Sequence, residues 1–238
     1  MRITPLLVTC LTLYTLTTSA QQLTLDQWNE QAKTNIRLLP KYGYAIKTDD
    51  QKKADQEFIA AALKQDTTNR KASNHLIRLG FQYLYTDITK AMYRFNQAWL
   101  LDSTNSDIYW GYGGVYMALG DFPSARAQYT AGLAANANNT HLLTDLGTYY
   151  LVQYYTQQPL DQKKARTQLD SAINYMTRSY KIDSKDQNTT FKLAVCYLQK
   201  KDCQKAWRYY NECVSVGGQP ITADFTKALK EQCPATNQ

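Results

Sequence analysis

Histidine is nearly absent from this chain: 238 residues hold two, His75 and His141, and neither has a second histidine at metal-ligand spacing. A joint metal site is therefore not expected, because zinc centres draw three or four ligands from closely set His, Cys and carboxylate side chains. No Gly-x-Ser-x-Gly elbow occurs, which removes that serine nucleophile. Gly111, Gly113 and Gly114 could suggest a phosphate loop, but no Lys-Ser/Thr pair follows and the neighbouring residues keep a helical period. Long apolar runs are missing as well. The stretch from Leu6 to Leu16 falls far short of the ~20 residues that cross a bilayer, so no stable membrane span is expected. Nor is positive charge gathered into a stripe: Lys52-Lys53, Lys163-Lys164 and Lys200-Lys201 stand beside acidic or amide residues. The net charge of +7 reads as a solvated surface, and no nucleic-acid partner is expected. These absences leave no catalytic constellation, so neither an enzyme nor a cofactor is expected.

The material that is present is enough to fold, with 44% hydrophobic and 20% charged residues. Residues 1–20 read as a secretory signal: Met1-Arg2 supplies the positive start, Leu6 to Leu16 the apolar stretch, and Thr18-Ser19-Ala20 the small-residue cleavage site. The Ala20-Gln21-Gln22 junction is similar to that of bacterial exported proteins, which places the mature chain in the periplasm or outside the cell. Cleavage would remove Cys10 and leave Cys196, Cys203, Cys213 and Cys233, all near the C-terminus. Four cysteines in an oxidising compartment allow three pairings. Cys203 with Cys233 is the favoured one, since it would staple the last helix to the repeat before it, whereas Cys213 can simply fill a small-residue position. Cys203 also has Lys205 nearby, but clustered cysteines in a secreted chain suggest bridges before a reactive thiolate. Two glycosylation-type patterns, Asn138-Asn139-Thr140 and Asn188-Thr189-Thr190, fall between repeats and carry no meaning for a bacterial protein.

One pattern recurs at 33 to 34 residues: Leu79-Gly80 with Tyr83, Tyr112-Gly113 with Tyr116, and Leu146-Gly147 with Tyr150. Such a period, with a small residue in one helix and a small residue plus an aromatic in the next, predicts stacked helix-turn-helix units. In residues 106–139, Tyr109, Tyr112, Gly113 and Tyr116 share one helix face, Gly120-Asp121 breaks the helix, and Ala125, Tyr129, Gly132 and Leu133 form the facing stripe. This stretch resembles a tetratricopeptide repeat, although Ala137 replaces the family's usual terminal proline. The predicted fold is accordingly all-α, an α-solenoid of tetratricopeptide-like repeats with helical caps.

The repeats are expected at about 73–105, 106–139, 140–186 and 187–219, within a repeat region at 70–219. In the first, Ala91, Phe95, Ala98 and Trp99 supply the second helix; in the fourth, Leu193, Ala194 and Tyr197 face Ala206, Tyr210, Cys213 and Val214. The third fits only if thirteen extra residues are inserted between about Val152 and Ala165, around Gln157-Gln158-Pro159. Residues 21–69 are expected to form a divergent helical pair with a partial repeat whose inward stripe is Asp55, Ile59, Ala62 and Leu63. Residues 220–238 are expected to give a capping helix and tail, with Phe225, Ala228 and Leu229 inward.

The resemblance implies partner binding through a concave face lined by the first helices. By that geometry the binding residues are Asn74, Ile77, Phe81, Tyr85, Asp107, Trp110, Met117, His141, Thr144, Thr148, Asn188 and Phe191. Rings and amides together suit an extended peptide, the rings giving apolar area and the amides hydrogen bonds to a main chain. The sequence thus predicts an exported adaptor for a protein or peptide partner. Its rival is a structural or self-associating component of a cell-envelope assembly, with the N-terminal pair or the inserted segment as contact surface, and a homo-oligomer fits that rival.

Overall fold

A computed structural model describes residues 23–234. The expected signal sequence lies outside the described residues. The elements run α1 (Leu25–Ala32), two tight turns at Ile36–Leu38 and Pro40–Tyr44, α2 (Asp49–Gln65), α3 (Asn69–Tyr83), α4 (Ile88–Leu101), α5 (Asp107–Ala118), α6 (Phe122–Ala135), α7 (Thr140–Gln157), α8 (Gln162–Ile182), α9 (Gln187–Gln199), α10 (Cys203–Ser215) and α11 (Ala223–Gln232). No strand occurs among the described residues. Four antiparallel hairpins, α3–α4, α5–α6, α7–α8 and α9–α10, stack in chain order and form the predicted solenoid.

Local chemistry places the turns. Each second helix opens on an aspartate, Asp87, Asp121, Asp161 or Asp202, whose carboxylate accepts the backbone N–H three residues on. A carboxylate there satisfies an orphan donor and faces the positive end of the helix dipole. The first helix of the first repeat opens at Asn69, capped by Thr68, ahead of the expected start near Ser73.

Small residues set how closely the paired helices approach. A Cβ on Gly113 would lie 2.1 Å from the Tyr129 ring, one on Gly80 2.4 Å from Phe95, and one on Gly147 2.7 Å from Met176. Successive repeats are joined by a polar clamp that itself repeats. Asn105 Nδ2 donates to Ser73 Oγ and Asn74 Oδ1, at 3.0 and 2.7 Å. One repeat later Asn139 Nδ2 donates to Ser106 Oγ and Asp107 Oδ1, at 2.8 and 2.6 Å. At the next junction hydroxyls replace the amides: Thr144 Oγ1 donates to Ser179 Oγ at 2.9 Å and lies 2.6 Å from Thr189 Oγ1, all three residues buried.

The thirteen inserted residues do not form a loop. They lengthen both helices of the third repeat, so that α7 and α8 have 18 and 21 residues where α5 and α6 have 12 and 14. The turn between them is short, and Tyr154, Ala165 and Leu169 bury the extension.

The N-terminal region differs from a helical pair. After the short α1, residues 35–44 run as a strap along α4 and α5, and α2 then returns with no fully buried residue. Leu63, expected inward, is 39% exposed. Ile59 and Ala62 pack half-buried against the core, and the strap completes the cover, with Leu38 and Tyr42 buried beside Trp28 of α1. Asn96, fully buried on α4, donates to Arg37 O at 2.8 Å and Leu39 O at 3.0 Å and accepts from the Tyr112 hydroxyl at 2.8 Å. That hydroxyl accepts in turn from the Lys41 amide at 3.0 Å.

α10 stops before Gly217-Gly218, with the Gly218 amide returning to Cys213 O at 2.8 Å, and α11 packs Leu229 inward. Phe225 and Ala228 are half-buried beside it. The Cys203–Cys233 disulfide joins the start of α10 to the end of α11, and Cys196 and Cys213 are free and buried. Val214, expected in the inward stripe of α10, is half exposed.

Candidate functional site

The first helices of all four repeats meet around one cleft of about 390 Å³. α3 contributes Phe81 and its C-cap contributes Leu84, α5 contributes Trp110 and Met117, α7 contributes Asp145, and α9 contributes Lys192. Three rings run across the repeats in a ladder. Phe81 lies 3.9 Å from Trp110 between ring centroids, and Trp110 stacks on His141 at 4.1 Å with an interplanar angle of 13°. Gly114 lies beside this ladder; with no side chain there, the Phe81 ring and the cleft stay open between α3 and α5.

The ladder is fixed by charge as well as by contact. The Trp110 indole N–H donates to Asp145 Oδ2 at 2.7 Å, and Lys192 Nζ holds the other oxygen at 3.3 Å. At the far end Asp107 Oδ1 bonds His141 Nδ1 at 3.3 Å. The Asp107 hydrogen bond is the largest influence on His141 and raises its pKa above the usual imidazole value, against a smaller opposing effect of burial. Burial disfavours the charge on Asp107, but hydrogen bonds from His141 and Asn139 outweigh it, and its pKa lies below the usual carboxylate range. Both effects favour an imidazolium stacked on an indole face, a cation–π arrangement.

Of the residues named from the repeat pattern, Phe81, Tyr85, Trp110, Met117 and Thr148 line the cleft. His141 joins them through its stack on Trp110. Ile77 and Thr144 do not: each is only 4% exposed and faces the interior, Ile77 in the main core and Thr144 in the buried hydroxyl junction. Asn74 and Asp107 serve the inter-repeat clamps. Phe191 packs edge-on against Phe225 of the capping helix at 5.0 Å, and Asn188 is exposed at the start of α9, outside the cleft. Asp145 and Lys192 were missed. Each falls one residue after the expected groove position, Thr144 or Phe191, and the two share one repeat column, which Gly111 occupies in residues 106–139. An acid followed one repeat later by a base, in a column that holds glycine in residues 106–139, was the available signal.

Among the described residues no group of three or more His, Cys, Asp or Glu side chains is placed to hold a metal, and no helix is long and apolar enough to cross a membrane. A family model described as the tetratricopeptide repeat matches residues 85–144, from the end of α3 to the first turn of α7. Among solved structures, the chain is similar to TTC0263, a thermophilic TPR protein in Thermus thermophilus, at 16% identity. That match covers 67% of this chain and 80% of the other, with a TM-score of 0.55. Further similar structures are MamA, at 18% identity, 74% and 98% coverage and a TM-score of 0.45, and Pseudomonas aeruginosa pilF, at 17% identity, 68% and 85% coverage and a TM-score of 0.37. No curated protein matches the sequence. With the matched repeat at its centre and the hairpin stack around it, the chain has the fold of a tetratricopeptide-repeat solenoid.

Proposed function

We propose that the cleft between α3, α5, α7 and α9 is the partner-binding surface of an exported adaptor, and that it takes an extended segment of a protein. The ring ladder Phe81–Trp110–His141 is the observation that carries this reading. Its rings bury a partner's apolar side chains at low entropic cost, because neighbouring rings and the Asp145–Lys192 pair already restrain Trp110. The pair also gives the floor a polar wall able to orient a peptide main chain. Export is supported by the signal pattern of residues 1–20 and by the Cys203–Cys233 bridge, since disulfides persist in oxidising compartments.

The test is affinity capture of the tagged chain from its native cells after cross-linking, beside a Phe81→Ala/Trp110→Ala double variant. A recurrent partner lost in the variant, with helicity unchanged by circular dichroism, is the expected outcome. Equal capture by the variant would move the site off the cleft, and recovery of only the chain's own copies would favour a self-associating assembly component.

A further inference from the structure

We propose that the chamber between α2, the strap and α4 is a second binding site, for a small organic anion carrying one carboxylate on an apolar or aromatic body. The site is independent of the cleft. Its volume of about 380 Å³ falls within the range of small-ligand pockets, about 300–1,000 Å³. Tyr42, Phe58 and Tyr93 supply aromatic surface, and the exposed Arg37, Gln51 and Ala54 stand at its mouth.

The charges select the ligand. Lys47 Nζ lies 3.6 Å from the Tyr42 ring centre and is paired with Asp55, so its charge is already met. Arg37 is different: its guanidinium lies 3.8 Å from the Tyr93 ring centre, and it has no carboxylate partner among the described residues. Contact through its face leaves the N–H donors at the guanidinium edge available, and that fork matches a carboxylate. The lining holds two cations and one carboxylate, so a cationic ligand would meet net repulsion. A polyphosphate would find only one unpaired cation.

The strap adds an independent observation. Lys41, Tyr42, Gly43 and Tyr44 take φ of 55°, 57°, 63° and 54°, a left-handed run in which only Gly43 is at ease. Strain of this kind persists where surrounding contacts over-determine it, and it gathers at ligand sites. Here the Asn96–Tyr112 network does the holding, and the run places Tyr42 in the chamber wall.

The test is titration of the whole chain with 3-phenylpropionate and with the neutral 3-phenylpropanol, followed by calorimetry and by amide chemical-shift mapping. One-to-one binding of the acid is expected, with shifts centred on Tyr42, Phe58 and Tyr93, and the alcohol at least about tenfold weaker, as suits loss of a charge-assisted hydrogen bond. Arg37→Gln should weaken the acid by about the same factor. Ala54→Trp should block it by filling the chamber from its solvent side, which keeps the test decisive if Arg37→Gln unfolds. Equal affinity for acid and alcohol, unaltered binding in the folded variants, shifts confined to the α3–α9 cleft, or no shift at about 10 mM acid, a concentration far above any useful affinity, would each overturn the proposal.

Discussion

Two adjacent glycines on α5 should respond oppositely to alanine. In a helix interior Gly→Ala is worth about 1 kcal/mol of stabilisation from propensity alone. At Gly114 the new Cβ would meet Leu84 Cδ2 at 3.4 Å and Phe81 Cε1 at 3.6 Å, ordinary contact distances. Gly114→Ala should therefore raise stability by about 0.5–1 kcal/mol. At Gly113 the Cβ would sit 2.1 Å from Tyr129 Cε1 and 2.5 Å from Cδ1, and Tyr129 is 1% exposed on α6 with little room to withdraw. Overpacking costs about 1–3 kcal/mol, enough to exceed the propensity gain. With the ring this close the upper part of that range applies, about 2–3 kcal/mol, so Gly113→Ala should lose about 1–2 kcal/mol net. Urea denaturation of the two variants and the parent, with the slopes compared, measures both signs. In a Tyr129→Leu background, where a flexible side chain replaces the rigid ring, the Gly113 penalty should shrink measurably, because contacting residues couple. If the two alanines move stability in the same direction, close approach of α5 and α6 is not the reason for Gly113, and the steric account of the repeat fails.

Two further predictions concern polar groups. Asn96→Ala would orphan the Arg37 and Leu39 carbonyls and disturb the Tyr112 hydroxyl that receives the Lys41 amide, a loss of about 2–4 kcal/mol in docking the strap. Exchange of the Lys41 amide should accelerate by roughly 30- to 1,000-fold; an unchanged rate would show that the network does not hold the strap. For His141, a pKa raised by folding means stability that is complete below its unfolded value and lost as pH rises through the folded one, while the lowered pKa of Asp107 preserves the pair down into the acid range. His141→Gln should thus cost more at about pH 6 than at about pH 8.5, a difference that paired thermal melts would reveal and that a pH-independent cost would refute.

The repeat was legible because its determinants are local. Gly80, Gly113 and Gly147 each meet a bulky side chain from the facing helix, and a helix pair that must approach closely leaves that mark at a fixed period. The aspartate caps and the Gly217-Gly218 stop are equally local. The groove was legible in part: Phe81 and Trp110 followed from the family geometry, but a rotation of one residue separates the buried Thr144 from Asp145 in the cleft. A helical step of about 100° per residue makes that choice sensitive to how the next repeat packs, which depends on the residues of α8 and α9 rather than on α7 alone. The strap was not legible at all. Lys41, Tyr42 and Tyr44 have no intrinsic preference for the left-handed region, and the partners that hold them there come from α4 and α5, more than fifty residues on.

The two ends of the stack solve the same problem by different chemistry. A terminal repeat leaves one helix face without a neighbour, and that face must be covered for the array to stay soluble. At the C-terminal end an amphipathic helix does this with Leu229 and Phe225, and the Cys203–Cys233 bond fixes it covalently. At the N-terminal end α2 buries no residue fully, so much of the apolar cover comes from Trp28 on α1 and from Leu38 and Tyr42 on the strap, a segment with little regular structure. Such a segment brings main-chain groups against a core, where each unpaired one costs about 1–3 kcal/mol. A buried asparagine is the economical answer, because its amide donates twice to carbonyls while its oxygen still accepts from Tyr112. The strap therefore depends on polar satisfaction where the C-terminal cap depends on apolar contact and a covalent bond. The Asn96 amide thus ties down the strap that carries Tyr42 into the chamber wall, and the Cys203–Cys233 bond ties down the opposite end.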